Sequence, residues 1–215
     1  MRFLGGLHEL IFPPRCLGCG VLHQGICTPC AKELQLRDYR SHVGVMPVFS
    51  SIQYSARAAR ILLAAKEDGI RSADEILTAA LLHSLRIAMR SFDIRPGLVP
   101  IPHAKRAIRE RGRNFLGEIT QSLASRESLP IRPVIRHNRK VSDQSLLDAP
   151  ARLGNLSGAM SVTPNRGRSC RPCEVFLVDD LITTGATLGE AVSTLEKVGF
   201  HVVAAVTALV ALPLR

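Results

Sequence analysis

Val175-Phe-Leu-Val-Asp179-Asp180-Leu-Ile-Thr183-Thr184-Gly185-Ala186-Thr187 decides how this chain is read. Four consecutive apolar residues form a strand buried on both faces, and two acids close it. A turn rich in Thr and Gly follows, and a helix begins at Ala186 or Thr187 and runs to Val198, with Gly199 as its cap. In an open α/β sheet such a turn lies at the carboxyl edge of a strand, where ligands bind. The helix start offers free N–H groups and about half a positive charge. Gly185 lets the backbone approach a phosphate, and Thr183, Thr184 and Thr187 can donate hydroxyl hydrogen bonds to it. Two carboxylates beside a phosphate repel it unless they serve another group. A sugar diol is the natural one, and a Mg²⁺ shared with a polyphosphate is the second. The pattern suits a phosphorylated ribose. It is not a Walker loop, because no Gly-Lys-Ser/Thr follows.

The neighbouring segments place this unit in a larger sheet. His201 to Val210 reads as the next strand, and Leu98-Val-Pro-Ile101 as another after Pro96-Gly97. Ala56 to Lys66 is helical, and Ser72-Ala-Asp-Glu75 predicts a capping-box start for a helix to about Arg90. A further helix is predicted from Asn114 to Ala124 and a strand near Ile131 to Ile135. Strands alternating with helices give an α/β fold with a parallel sheet. The polar stretch from His137 to Gly158 is a long loop of the kind that serves function or moves.

At the N-terminus, Cys16-Leu-Gly-Cys19 and Cys27-Thr-Pro-Cys30 form two Cys-x-x-Cys pairs. Each gap lets two thiolates reach one ion from a tight turn, so Cys16, Cys19, Cys27 and Cys30 are read as ligands of a structural Zn²⁺. Leu34 to Ser50 reads as a polar linker, which divides the chain into residues 1–45, the zinc module and linker, and residues 46–215, the larger domain. Cys170 and Cys173 have no partners to complete a second site and are read as inert or adventitiously reactive thiols.

Over 215 residues, 46% are apolar and 21% charged, which excludes wholesale disorder. Aromatics make up 4%, with no Trp, so base-stacking platforms are scarce. No apolar run is long enough to span a bilayer, the N-terminus lacks a cleavage site, and a cytoplasmic location is the expectation. The net charge of +10 points to an anionic partner. It is concentrated between Arg86 and Lys140, with thirteen Lys/Arg against four Asp/Glu. Lys105, Arg106, Arg109, Arg111 and Arg113 follow the strand end at Pro100–His103, where a second anion loop is expected. Arg109 and Arg111 are read as binders of a diphosphate, since Arg contacts phosphate bidentately. Arg126, Arg132 and Arg136 are read as a solvated or nucleic-acid-binding surface. His103 is either a contact to a leaving group or a solvated loop histidine.

The strand–Asp–Asp–x–x–Thr–Thr–Gly–x–Thr pattern is similar to the signature of type I phosphoribosyltransferases. With the four-Cys module, the chain resembles the ComF family of competence-associated, phosphoribosyltransferase-like proteins. Further likenesses are Leu98-Val-Pro-Ile-Pro102-His103, Arg109-Glu-Arg111-Gly112-Arg113-Asn114, and Arg139 with Gln144, Arg152 and Asn155. Arg113 stands where the family has Phe, Phe115 where it has Gln, Val141 where it has Thr, and Lys66-Glu67-Asp68-Gly69 where it has Lys-aromatic-x-Gly. The resemblance implies a type I phosphoribosyltransferase fold that binds phosphoribosyl pyrophosphate with Mg²⁺. Asp179, Asp180 and Arg111 would be its catalytic residues. Thr183, Thr184, Gly185, Ala186, Thr187, Pro102, His103 and Arg109 would line the substrate. It implies transfer or sensing of the phosphoribosyl group, and a link to DNA uptake. The alternative is a non-catalytic nucleotide sensor that holds single-stranded DNA or a DNA-uptake protein.

Overall fold

A computed structural model describes residues 14–23, 25–138, 159–163 and 173–212. A five-stranded sheet in the order β1-β2-β7-β6-β3 organises the chain. Its strands are β1 (Tyr39–Val43), β2 (Met46–Gln53), β3 (Gly97–Pro100), β6 (Cys173–Ile182) and β7 (Phe200–Val210). β2, β7, β6 and β3 run parallel, and β1 pairs antiparallel with β2. A separate two-stranded ribbon joins β4 (Ile135–His137) to β5 (Met160–Val162). The chain is thus α/β with a mostly parallel sheet.

From Ala204 to Val210 every residue of β7 is buried, so both faces of the strand are covered. The helix α3 (Arg71–Phe92) packs on β2 and β7. Its buried residues Ala73, Leu77, Ala80, Leu81, Ser84, Leu85 and Ala88 recur at the three- and four-residue spacing of one helix face. The helix α6 (Ala186–Glu196) also packs on β7, and α5 (Phe115–Glu127) packs on β3 and β6. Buried hydroxyls within these contacts are paired. Ser50 Oγ lies 2.7 Å from Thr207 Oγ1, and Ser84 Oγ donates to the Thr207 carbonyl at 2.9 Å.

Three expectations change. Much of the stretch expected as a linker, Leu34 to Ser50, is hairpin: Tyr39–Val43 pairs with Met46–Ser50, so residues on the near side of the expected 45/46 division share the main sheet. β1 alternates half-buried and exposed positions, which places Arg40 and His42 on the open face. The capping box at Ser72 does not form. α3 starts at Arg71 after Ile70, without a side-chain cap. The expected anion loop after His103 holds a short helix, α4 (Lys105–Arg111), closed by Gly112 at φ +70°. Near Ile131 a single bridge to Leu98 precedes β4. Arg139, Val141, Gln144, Arg152, Asn155 and Cys170 lie outside the described residues, as does most of the long stretch that begins at His137. Cys173 begins β6. Among the described residues, no helix is long and apolar enough to cross a membrane.

Candidate functional site

The site is set by register. Pro100 of β3 lies opposite Val178 of β6, and the Ile101 N–H donates to the Val178 carbonyl at 2.9 Å. The segment that continues past β3, Ile101-Pro102-His103, therefore runs alongside Asp179-Asp180 of β6. The strand runs two residues beyond the acids, to Ile182, so Asp179 and Asp180 sit inside β6 rather than at its end. Both are buried. Successive strand residues face opposite sides, but Asp179 Oδ1 turns to accept the Asp180 N–H at 2.9 Å. One atom each of His103, Asp179 and Asp180 consequently lie within 4.8 Å of one another.

The two carboxyls differ in charge. Burial, and then the Asp180 charge, push Asp179 up to about 8. Burial also pushes Asp180 upward, but the neighbouring His103 and the Lys66 ammonium outweigh it and hold Asp180 below the usual carboxylate range. Lys66 Nζ lies 2.5 Å from Asp180 Oδ2, and His103 Nε2 lies 3.7 Å from the same oxygen. Neighbouring titrating groups driven apart in this way divide proton-donor and proton-acceptor roles. The arrangement favours the neutral form of Asp179 and sets the Lys66 ammonium against the Asp180 carboxylate, which relieves the repulsion that two free carboxylates would exert on a phosphate.

Lys66 ends the helix α2 (Ala56–Lys66). In the sequence Lys66 stands at the end of a helix and in Lys66-Glu67-Asp68-Gly69, and no local signal links it to an acid 114 positions later. His103 is half-buried against Asp180 rather than solvated in a loop.

After β6 the chain exposes Thr183 and Thr184, then buries Gly185. Gly185 has φ +75° and, as the N-cap of α6, supplies no side chain to its amides. Thr184 Oγ1 accepts the Ala186 N–H at 3.3 Å. A Cβ on Gly185 would come within 2.4 Å of Val43 Cγ2, so the glycine is demanded by packing against β1 as well as by its backbone angle. Ala186 and Thr187 are half-buried.

The arginine arm is already partnered. Arg111 Nε donates to Glu67 Oε2 at 2.7 Å. Arg113 bridges Asp74 at 2.9 Å and Glu118 at 2.5 Å and lies over the Phe115 ring. Arg106 pairs with Glu110, and Arg109 is exposed. Arg126 and Arg136 are exposed and bond serine hydroxyls, and Arg132 is half-buried beside Gly97.

The sulfurs of Cys16, Cys19, Cys27 and Cys30 gather within 4.8 Å of one another. Cys16 and Cys19 lie 3.5 and 3.6 Å from Cys27. Tetrahedral Zn²⁺ with bonds of ~2.3 Å separates its sulfurs by roughly 3.8 Å, so the cluster could hold a zinc ion. Burial pushes the Cys16 thiol up, but backbone N–H groups of Cys27, Cys19 and Gly18 bring it down to about 6. Cys30 is pushed up by burial and by its thiol neighbours. Crowded thiols cannot all ionise unless a cation joins them. The cluster rests on α2: a Cβ on Gly18 would meet Cys30 Sγ at 2.9 Å and Arg57 Cβ at 3.7 Å. Arg57 pairs with Glu33 of α1 (Thr28–Glu33). His103, Asp179 and Asp180 fit Mg²⁺ poorly as a cage, because that ion prefers several oxygens and Asp180 is engaged by Lys66.

No family model matches the chain. It is similar to Competence protein F of Haemophilus influenzae, with 26% identity over 216 residues, 86% of this chain and 92% of that protein. A solved structure of adenine phosphoribosyltransferase from Saccharomyces cerevisiae, complexed with an imino-altritol bisphosphate and adenine, is 12% identical, with a TM-score of 0.45, over 86% of this chain and 89% of that one. The resemblance to the ComF family read from the motifs thus extends, in a curated relative, across most of the chain.

Proposed function

We propose that the chain binds phosphoribosyl pyrophosphate at the carboxyl ends of β3 and β6 and transfers or senses its phosphoribosyl group. The reading is carried by one observation: a buried Asp179–Asp180 pair, gathered with His103, stands two residues before an exposed Thr turn that opens a helix at Gly185. In this reading Thr183, Thr184, Thr187 and the backbone of Gly185 and Ala186 hold the 5′-phosphate. Asp179, protonated, donates to one ribose hydroxyl, and Asp180 accepts from another. The Pro102–His103 segment, Lys66, Arg109 and Arg111 face the diphosphate. Mg²⁺ enters as the counter-ion of the diphosphate. Catalysis is positioning and electrostatic stabilisation as the C1′–O bond to pyrophosphate breaks and a nitrogen acceptor bonds to C1′. The four-Cys unit holds Zn²⁺ as a structural ion. By its likeness to a protein named for competence, the chain acts in DNA uptake.

Calorimetry of phosphoribosyl pyrophosphate against the wild type and the double variant Asp179→Asn, Asp180→Asn tests the site. Binding that the variant abolishes is expected, and equal binding by both proteins removes the reading. Pyrophosphate release across a panel of bases separates transferase from sensor: binding with no turnover assigns sensing.

A further inference from the structure

We infer that Glu67 is a built-in competitor for the anion site, which occupies Arg111 in the free protein and must be displaced by a diphosphate. The inference rests on the reading that Arg111 faces that group. Lys66 and Glu67 are consecutive at the end of α2, and each holds an opposite charge of the site. Lys66 reaches Asp180 in β6, and Glu67 reaches Arg111 at the last position of α4. Glu67 thereby adds a carboxylate within one residue of the proposed phosphate-binding cation. Its side chain is 42% exposed, so packing does not require it, whereas Arg111 is only 21% exposed and is held in place.

The neighbouring arginines do not share this arrangement. Arg113 has two carboxylates and a ring, and releasing it would disrupt the joint between α3 and α5. Among the described residues Arg111 has a single, half-exposed partner, and such pairs are weak and easily exchanged. A diphosphate offers Arg a charge-assisted, bidentate contact that outcompetes one carboxylate. In the proposed pose the 5′-phosphate lies on the Thr183–Thr187 turn and the diphosphate faces Arg111, so a sugar monophosphate brings no group to the arginine. Glu67 therefore weakens the binding of diphosphate-bearing sugars alone and narrows their advantage over monophosphates.

Calorimetry at low salt on the full chain tests this, with phosphoribosyl pyrophosphate and ribose 5-phosphate as probes. Glu67→Gln should tighten phosphoribosyl pyrophosphate about fivefold, the upper worth of an exposed ion pair, and leave ribose 5-phosphate unchanged. The gain should shrink as salt rises. In Arg111→Gln the same Glu67 change should have no effect. Glu67→Ala serves as a second variant, and thermal melts establish that each is folded. Unchanged or weaker phosphoribosyl pyrophosphate binding by both Glu67 variants overturns the competitor role while leaving the site reading intact. An equal gain for ribose 5-phosphate also overturns it, since that would be general charge removal. A wild type that binds neither probe overturns the site reading itself.

Discussion

Lys66 Nζ lies 2.5 Å from Asp180 Oδ2, and the contact joins the end of α2 to the carboxyl edge of the central strand β6. The carboxylate is 8% exposed and the lysine 19%, so both charges are largely removed from water. Each therefore depends on the other, because an unpaired buried charge is costly.

Replacing the lysine should expose that dependence. Lys66→Met keeps the stem and removes the charge, leaving Asp180 with His103 alone. The expected loss is about 2–3 kcal/mol, below the ~3–5 of a fully buried pair because Lys66 retains some water. Lys66→Arg should recover most of it. Equilibrium urea unfolding at pH 7 reads both, and a Lys66→Met protein as stable as the wild type would show that the pair is not energetically coupled.

Asp179 makes the opposite prediction with pH. Its folded-state value is raised to about 8, against an ordinary ~3.9 in the unfolded chain. Between these values the folded state binds the extra proton, so this group's contribution is complete near pH 4 and is lost as pH rises through about 8. Asn cannot ionise. Asp179→Asn should match the wild type near pH 4 and gain on it at each step to pH 8, by on the order of 1 kcal/mol per unit at most. Asp180 has a lowered value, so its contribution is present above the ordinary carboxylate range and lost as pH falls. Its loss falls at the acid end, below the window in which the Asp179 difference develops. Scanning calorimetry at three pH values checks the trend, and parallel melting curves would refute a protonated Asp179.

These two residues mark how far the sequence could be read. The strand–turn–helix around Asp179 is a contiguous apolar run broken by acids and Thr, a local signal that strand and helix periods both obey. The four cysteines carry their own spacing. The protonation split is not local: it comes from burial plus a lysine 114 positions away. The hairpin from Tyr39 was hidden because only alternate positions of β1 are half-buried, and Arg40 and His42 on its open face read as linker. Helix α4 was hidden too: Lys105–Arg111 is mostly charged and shows no apolar stripe, and its Arg106 and Arg111 pair with Glu110 and Glu67.

The cysteine cluster predicts a metal-dependent helix support. Purified protein should carry about one zinc per chain, measured by mass spectrometry. Chelation should release it and lower the melting temperature, since α2 loses the unit packed on Arg57. Cys30→Ser should do the same. Zinc-free protein with an unchanged melting temperature would show that the cluster does not brace the domain.

Gly185 gives a prediction about the turn itself. Two costs meet there: φ of +75° disfavours a side chain, and an added Cβ would sit 2.4 Å from Val43 Cγ2. The first costs about 1 kcal/mol and the second about 1–3, so Gly185→Ala should destabilise by about 2–4 kcal/mol. The contributions separate by partner. Val43→Ala removes the methyl that collides, so adding it to Gly185→Ala should return the steric part and leave the backbone part. Double-mutant unfolding measures this, and strictly additive losses would mean that Val43 moves aside at no cost. The same pair bears on binding: Val43 fills the space on the α-carbon side of Gly185, so a ligand on this turn is met by its N–H groups and by the exposed Thr183 and Thr184 hydroxyls. The Gly185→Ala, Val43→Ala double variant, if folded, should therefore keep more of its phosphate affinity than Gly185→Ala alone.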